Sequence, residues 1–396
     1  MPVVAARQGL PILLKDPIPH LLVETKKTVI HGWHFAKASG RRECSSERIL
    51  INPYNGCAIG CPACYARSYR GHFERWNREG IITVFNDIDL KLKSELSRLH
   101  YASCGYFSPI TDPFQQPLEG MYNLVEKCIN IFLNLDLPVE FVTKNGPFVP
   151  ERIVKRMAEH PYHHCLTQFS VLSPDPDKQK FFAPLGASPN QQLRALSRSS
   201  DLGLFSVVRI DPIMPGITDS PSDLGYLVAE AKQNGCCHII ASICDLNSRT
   251  IAETMDHVKS YSFGAYDLWR RIYTERQGGS LHASLEYRRR IFSLLKNICS
   301  INKLSFALCM EFSHHNGRYT GLNKEYMTSL ACEGLPIPMY WRNKLSEKFH
   351  PVGNCNGVCL DCSQNKETPA CHQALLSEAK ALKYSDYKKL HPFDQA

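Results

Sequence analysis

The sequence lacks any uninterrupted apolar run approaching the roughly 20 residues that a membrane helix requires, so we expect no membrane-spanning segment. Residues 1–22 lack a basic n-region and a small-residue cleavage site, and Pro2, Pro11, Pro17 and Pro19 interrupt them. We therefore expect no secretory signal and predict a cytoplasmic protein.

The sequence also lacks a dense basic patch. Its formal net charge is +8 over 396 residues, which permits a polyanionic substrate without requiring one. The densest basic stretches are short, and solvated helix faces explain them at least as well as a nucleic-acid interface: Lys26–Lys27, Arg41–Arg42, Arg270–Arg271 and Arg288–Arg290.

Cysteine, in contrast, is abundant, with 17 residues. In a reducing compartment, clustered cysteines indicate metal binding more often than disulfides. The sequence has two such clusters: Cys57, Cys61 and Cys64, and then Cys355, Cys359, Cys362 and Cys371. Most other cysteines, such as Cys128 and Cys299, are isolated and are expected to be small buried hydrophobic residues.

Short apolar runs alternate with amphipathic stretches between about residues 49 and 243. The predicted strands are Ile49–Asn52, Tyr101–Ser108, Pro138–Lys144, Cys165–Leu172, Leu204–Ile213 and Cys236–Ile243. The predicted helices between them are Pro117–Leu135, Pro150–His160, Asn190–Ser199 and Pro221–Asn234. This alternation is typical of a parallel α/β sheet, and six units predict a partial (β/α)6 TIM-like barrel with a C-terminal cysteine-rich extension.

Three regions are expected along the chain. These are an N-terminal extension (1–45), the barrel (46–300) and a cysteine-rich cap (301–396). Two further helices are predicted at Tyr266–Tyr273 and Leu285–Ile298. The cap is predicted to contain a strand at Lys303–Cys309 and a final helix from about residue 369 to about residue 390.

The first cysteine cluster follows the first predicted strand as C-x3-C-x2-C on a loop that contains Gly56 and Gly60. Three thiolates at this spacing can each bind a different iron of one [4Fe–4S] cluster and leave the fourth iron without a protein ligand. A cluster with an open iron is suited to bind and reduce another molecule. The alternative is a zinc knuckle completed by His72 or a distant residue, although zinc sites prefer paired C-x2-C and four protein ligands.

In this strand context, the C-x3-C-x2-C loop resembles that of the radical S-adenosylmethionine superfamily. The resemblance implies that S-adenosylmethionine chelates the open iron and is cleaved to a 5′-deoxyadenosyl radical, which abstracts hydrogen from a substrate. It also implies a reductant such as flavodoxin or ferredoxin. The family often has an aromatic residue before the third cysteine, beside the adenine. This sequence has Ala63 there, and Tyr65 just after Cys64 is the candidate contact.

The sequence resembles the spore photoproduct lyase-like branch of that superfamily over roughly residues 48–245. The segments that carry this resemblance are Asn52–Tyr54, Thr111–Gln115 with Pro117 and Glu119, Val142–Lys144, Phe169–Val171 and Arg209–Gly216.

The resemblance indicates four candidate cofactor-binding residues. Lys144 ends a strand at the face where such barrels have their active sites, so it is expected to pair with the cofactor carboxylate unless it is simply solvated. Ser170 is a candidate for the ribose or carboxylate, although strand serines are common. Arg209 lies in an apolar strand and needs a partner, either a cofactor or substrate carboxylate or Asp211. Asp112 is the candidate for the methionyl amino group.

Cys104 is a candidate catalytic residue in the second predicted strand. Spore photoproduct lyase has a cysteine in a similar region that returns a hydrogen atom to the product radical, and a weak S–H bond suits that role. The alternative is a buried structural cysteine.

The second cysteine cluster repeats the C-x3-C-x2-C spacing, with Cys371 after it and Cys332 and Cys309 before it. It predicts either an auxiliary [4Fe–4S] cluster or a structural zinc site. Either metal would help to fold a segment with little apolar content. The C-terminal cysteines could instead hold the radical cluster. This alternative is disfavoured because they do not follow a predicted strand of the barrel.

The leading hypothesis is a radical enzyme whose substrate binds across the open end of the barrel. The branch resemblance suggests a nucleobase or nucleic-acid substrate and a lyase-type reaction. A DNA base would have to be flipped out to reach the cluster, and no β-hairpin wedge is identified in the sequence. The alternatives are a radical enzyme that modifies a peptide or small molecule, and a non-catalytic iron–sulfur or zinc protein that binds nucleic acid.

Overall fold

The computed structural model describes residues 12–32, 46–359, 362, 369–377 and 381–392. Its centre is a sheet of seven parallel strands, in which each strand pairs with the next along the chain. The strands are β1 (Arg48–Ile51), β2 (Cys104–Phe107), β3 (Val139–Thr143), β4 (Leu166–Ser170), β5 (Phe205–Ile213), β6 (His238–Ile243) and β7 (Ser305–Leu308).

The predicted α/β class and partial barrel are confirmed, but the sheet has one strand more than the six units expected. The predicted strand at Lys303–Cys309 forms β7 and pairs with β6. The sheet therefore continues beyond residue 300, where the cap was predicted to begin.

Helices connect the strands in every crossover. They are His72–Glu79, Ile88–Leu96, Leu118–Tyr122, Leu124–Asn134, Glu151–Ala158, Pro176–Phe182, Pro189–Asp201, Pro221–Gln233, Ile251–Tyr261, Phe263–Ile272 and Leu285–Ile301. The helix predicted over Pro117–Leu135 is broken in two at Asn123, whose φ of 52° is left-handed. Ser220 caps the helix that follows it, because its side chain accepts a hydrogen bond from the Asp223 backbone N–H.

Small antiparallel or mixed sheets surround the barrel. Their strands are Ile12–Leu14, His20–Val23, Tyr54–Asn55, Ile82–Phe85, Tyr101–Ala102, Leu246–Asn247, Tyr273–Gln277, Ser280–Ala283, Phe312–His315, Arg318–Gly321, Tyr340–Trp341 and His350–Pro351. Short 3₁₀ helices occur at Tyr65–Ser68 and Gly146–Phe148.

The long helix predicted near the C-terminus is wrong. The described residues there contain two four-residue helices, Ala374–Ser377 and Tyr384–Tyr387, after an earlier short one at Asn323–Tyr326. Residues 378–380 lie outside the described part, as do residues 1–11 and 33–45 of the predicted N-terminal extension. No described helix combines the length and apolarity needed to cross a bilayer.

A buried polar network crosses the sheet from β1 to β5. The Arg48 guanidinium donates to Glu140 at 2.6 Å, and the Gln168 amide lies 3.4 Å from the same carboxylate. Gln168 accepts from Arg209 at 2.9 Å, and Arg209 also donates to Asp211. Burial raises the pKa of Glu140, and the nearby Arg48 opposes that shift. The ion pair therefore offsets part of the cost of burying both charges.

Replacing Arg48 with Ala is expected to lower the free energy of unfolding by roughly 3–5 kcal/mol, because Glu140 would stay buried without its cation. Arg152→Ala is the matched control, since Arg152 is an exposed residue paired with Glu126, and exposed ion pairs contribute little to stability. Denaturant unfolding followed by circular dichroism measures both. Equal losses in the two variants would contradict the assigned role of Arg48.

Candidate functional site

A cavity of about 440 Å³ lies at the carboxyl-terminal ends of the strands. Its wall contains residues at or just after the ends of β2 to β7, including Thr111, Lys144, Ser170, Asp211, Ser242 and Cys309. Parallel α/β folds bind ligands at this edge of the sheet.

The loop after β1 brings Cys57, Cys61 and Cys64 to the same cavity. One buried side chain, Gln115, holds this loop to the segment after β2. Its carbonyl oxygen accepts from the Ala58 N–H at 2.8 Å, and its amide donates to the backbone oxygen of Gly56 at 3.2 Å. The conformation of the cysteine loop therefore depends on contacts with the segment that follows β2.

Gly56 allows the loop to turn beside Trp76. Its φ of +106° is in the range that favours glycine, and an added Cβ would lie 2.7 Å from the Trp76 Cγ. Arg67 lies over the same indole ring at 4.8 Å and donates to the backbone oxygen of Cys61 at 3.0 Å. Trp76 and Arg67 thus add further contacts that hold the loop.

The three thiols lie in a desolvated, cation-containing environment. Burial raises the pKa of Cys61 to about 11, while Lys144 and Arg67 act in the opposite direction. Burial likewise raises the pKa of Cys64 and of Cys57. Metal binding would offset this cost, because a metal ion favours the thiolate.

Three cysteine side chains line the cavity, one fewer than the four protein ligands that a structural zinc ion prefers. A [4Fe–4S] cluster can be held by three thiolates, each bound to a separate iron. His72 does not line the cavity and instead lies 3.0 Å from the Thr83 hydroxyl, so it is not placed to complete a zinc knuckle.

Asp112 and Lys144 lie together on the cavity wall. The Asp112 carboxylate accepts from the Lys144 backbone N–H at 2.7 Å, the Thr143 hydroxyl at 3.0 Å and the Phe114 N–H at 3.0 Å. Burial raises the pKa of Asp112, and these hydrogen bonds oppose that rise. Asp112 therefore positions the end of β3, from which Lys144 enters the cavity.

Arg209 has the structural partner that the sequence offered as an alternative. Its guanidinium donates to Asp211 at 2.7 Å, and both residues line the cavity. Burial acts to raise the pKa of Asp211, but Arg209 and the Ser242 hydroxyl lower it below its usual value. The paired guanidinium and carboxylate groups therefore present opposite charges at fixed positions on the cavity wall.

Tyr65, Ala63 and Ser170 also line the cavity. The Tyr65 hydroxyl donates to the backbone oxygen of Pro109 at 2.7 Å, and its ring meets Tyr69 edge to face at 5.9 Å. The ring is thereby held beside the third cysteine. All five candidate cofactor-binding residues are thus brought to the cavity of the three cysteines.

Two residues predicted for the functional sites, Cys104 and Cys332, line neither the cavity nor the pocket of the C-terminal cysteines. Cys104 is fully buried in β2 beside Arg48 and Glu140 and is not on the cavity wall. This placement does not support a role as hydrogen donor to a substrate in the cavity. Cys332 donates to Glu333 at 2.8 Å and does not line the pocket formed by the four later cysteines.

The sequence interpretation missed several cavity residues, including Cys244, Cys309 and Glu311. Cys244 directly follows β6 and Cys309 directly follows β7, so the strand-end rule would have found both. Glu311 accepts from Arg288 at 2.9 Å and from the Ile243 N–H at 2.8 Å. Burial raises its pKa to about 7, and Arg288 opposes that rise.

Sequence comparison finds relatives, although no family model matches the chain. The chain is 26% identical over 388 residues to the radical SAM Nalpha-GlyT isomerase of Pseudomonas phage M6, which covers 94% of this chain and 79% of that protein. It is 23% identical over 193 residues to an uncharacterized protein of Mycobacterium tuberculosis, covering 48% of this chain and 56% of that protein.

Structure comparison finds the same fold in spore photoproduct lyase. The enzyme complexed with dinucleoside spore photoproduct superposes with a TM-score of 0.54 at 13% identity, covering 74% of this chain and 82% of that chain. A mutant of that enzyme with bound AdoMet and the dinucleoside gives a TM-score of 0.53 at 12% identity with the same coverage. Together with the phage homologue, these matches confirm the predicted resemblance to radical S-adenosylmethionine enzymes.

Gly56→Ala is expected to lose most of the iron that the loop of Cys57, Cys61 and Cys64 takes up on anaerobic reconstitution, because the new Cβ meets Trp76 and displaces this loop. The positive φ adds to a stability loss of roughly 1–3 kcal/mol. Gly71→Ala is the control, since its φ of +71° is also positive but no atom lies within 4 Å of the added Cβ. Iron analysis and thermal unfolding measure both variants. Retention of full iron by Gly56→Ala would contradict this account of the loop.

Proposed function

We propose that this homologue of radical S-adenosylmethionine enzymes binds a [4Fe–4S] cluster through Cys57, Cys61 and Cys64, with S-adenosylmethionine in the adjoining cavity. The observation that carries the proposal is the presence of all three thiols and all five candidate cofactor-binding side chains on one cavity wall. When bound and reduced by a flavodoxin, a ferredoxin or dithionite, the two cofactors supply a 5′-deoxyadenosyl radical that abstracts hydrogen from a substrate carbon.

The chain's own side chains would bind and orient the second cofactor. Lys144 supplies a cation for its carboxylate, and Asp112 holds the backbone from which Lys144 projects. The Tyr65 ring, fixed by its hydrogen bond to Pro109, offers an apolar surface for the adenine. The Ser170 hydroxyl and the Arg209–Asp211 pair offer polar groups on the same wall.

We further propose a substrate that contains a nucleobase, free or within a nucleic acid. A β-hairpin that the sequence interpretation did not identify supports this proposal. Its strands, Phe312–His315 and Arg318–Gly321, begin directly after the cavity residue Glu311. His314 and Tyr319 stack with ring centroids 4.4 Å apart, and Arg318 at the turn is exposed. Stacked rings beside a cation are the kind of surface on which single-stranded nucleic acids bind.

The two named relatives catalyse different types of reaction. The phage relative is an isomerase, and spore photoproduct lyase has been complexed with a dinucleoside. A lyase-type reaction that releases a fragment lowers the mass of the substrate, whereas an isomerisation, or a cleavage between bases still joined by their backbone, conserves it. Tandem mass spectrometry of the product, which reports connectivity as well as mass, therefore separates the two outcomes.

Cys61→Ala is expected to abolish formation of 5′-deoxyadenosine and methionine from S-adenosylmethionine under dithionite, because one ligand of the radical cluster is lost. Cys237→Ala is the control, since Cys237 is exposed and lies outside the cavity. Chromatography of the reaction products measures both. A wild-type protein that takes up iron but never cleaves the cofactor would show that the chain is a non-catalytic iron–sulfur protein.

Tyr319→Ala is expected to weaken binding of a single-stranded oligodeoxynucleotide by roughly tenfold, because stacking on one aromatic ring contributes about 1–3 kcal/mol. Tyr226→Ala is the matched control, because Tyr226 is an exposed aromatic residue on the helix Pro221–Gln233. Fluorescence anisotropy measures the binding. In parallel, the oligonucleotide, and not a glycine-containing peptide, should accelerate 5′-deoxyadenosine formation. Stimulation by the peptide alone would favour the peptide-modifying alternative.

A further inference from the structure

Four cysteines from the C-terminal part of the chain surround one pocket that is separate from the cavity. They are Cys355, Cys359, Cys362 and Cys371. None of the four forms a disulfide. The rest of the pocket wall is mostly apolar and includes Met339, Val358 and Leu376.

The backbone around this pocket is shaped to bring the thiols together. Gly357 has a φ of +74°, and a Cβ there would lie 2.2 Å from the backbone oxygen of Ile337, so only glycine fits. The Met339 N–H donates to the Cys355 sulfur at 3.5 Å. The Cys362 N–H donates to the Val358 backbone oxygen at 3.1 Å, which holds the third cysteine close to the residue that precedes the second.

We propose that these four thiols bind a second [4Fe–4S] cluster. The spacing repeats that of the first cluster, and all four cysteine side chains line one pocket. A surrounding shell of apolar side chains with an N–H donated to a ligand sulfur is an environment that stabilises an iron–sulfur cluster.

The second cluster would have four protein ligands and the first only three, so the two clusters would differ in what they can bind. With four protein thiolates, every iron has a protein ligand, so no iron is open to S-adenosylmethionine. The pocket also lies at the other end of the barrel. The Tyr101 hydroxyl donates to the backbone oxygen of Cys371 at 3.4 Å, and Tyr101 precedes β2, whereas the cavity lies beyond the ends of the strands.

The second cluster therefore fastens the C-terminal segment to the base of the barrel. The same segment pairs with the start of the barrel through Tyr340 opposite Ala102. The Ser103 hydroxyl also lies 3.3 Å from the Tyr387 hydroxyl, which donates to Glu47. The C-terminal segment is thus joined by strand pairing and buried hydrogen bonds to the residues just before β2, and the proposed cluster would link its four cysteines to one another.

The direct test uses the full chain with Cys57, Cys61 and Cys64 all changed to Ala, reconstituted anaerobically with iron and sulfide. The proposal predicts about four irons per chain and a reduced-state electron paramagnetic resonance spectrum that does not change when S-adenosylmethionine is added. One zinc ion in place of iron, or no bound metal, overturns the proposal. Because the radical cluster is absent, this result does not depend on the function proposed above.

A second variant keeps the test valid if the triple variant fails to fold. Cys355→Ser with Cys371→Ser should reduce the iron content from about eight to about four per chain, while S-adenosylmethionine still changes the spectrum of the remaining cluster. This variant should also unfold at a lower temperature than the wild type. Cys237→Ser, at an exposed cysteine, is the control and should keep the full iron content. An unchanged iron content in the double variant overturns the proposal.

Discussion

The two hydrogen bonds of the buried Gln115 side chain join the cysteine loop to the segment after β2. They engage the backbone of Gly56 and Ala58, the residues on either side of Cys57. Three residues before Gln115, Asp112 binds the end of β3 and so places Lys144. One short segment therefore sets the position of the thiols relative to the cation beside them, and a bound cofactor must fit between these two parts.

The barrel interior extends this constraint into the body of the protein. Arg48, Glu140, Gln168 and Arg209 are buried and linked by hydrogen bonds across four strands. Arg209 then binds Asp211 at the cavity wall. Buried charges are tolerated only where each has a partner, so the network favours a single arrangement of the inner side chains. The positions of Arg209 and Asp211 at the cavity wall are consequently linked to contacts that begin at Arg48 on the edge strand β1.

Much of the fold and site could be predicted from local sequence patterns. The strands that end at Thr143 and Ser170 were identifiable as short runs rich in β-branched, aromatic and aliphatic residues, and the ends of parallel strands place polar residues at one edge of the sheet. The spacing of Cys57, Cys61 and Cys64 similarly indicated a cluster. A sequence pattern could not predict how far each strand residue lies from the cavity. Cys104, at the start of β2, is therefore buried in the barrel and does not line the cavity. The hairpin that carries Tyr319 was missed because its short, polar strands have no apolar alternation.

The central claim is that the three-cysteine loop holds a cluster with one iron open to S-adenosylmethionine. Electron paramagnetic resonance of the reconstituted, reduced variant Cys355→Ser/Cys371→Ser tests it most directly, because the second cluster no longer contributes to the spectrum. The account predicts that S-adenosylmethionine changes the signal and that label in its carboxylate or amino group produces a hyperfine coupling. A signal that is identical with and without S-adenosylmethionine would contradict the account.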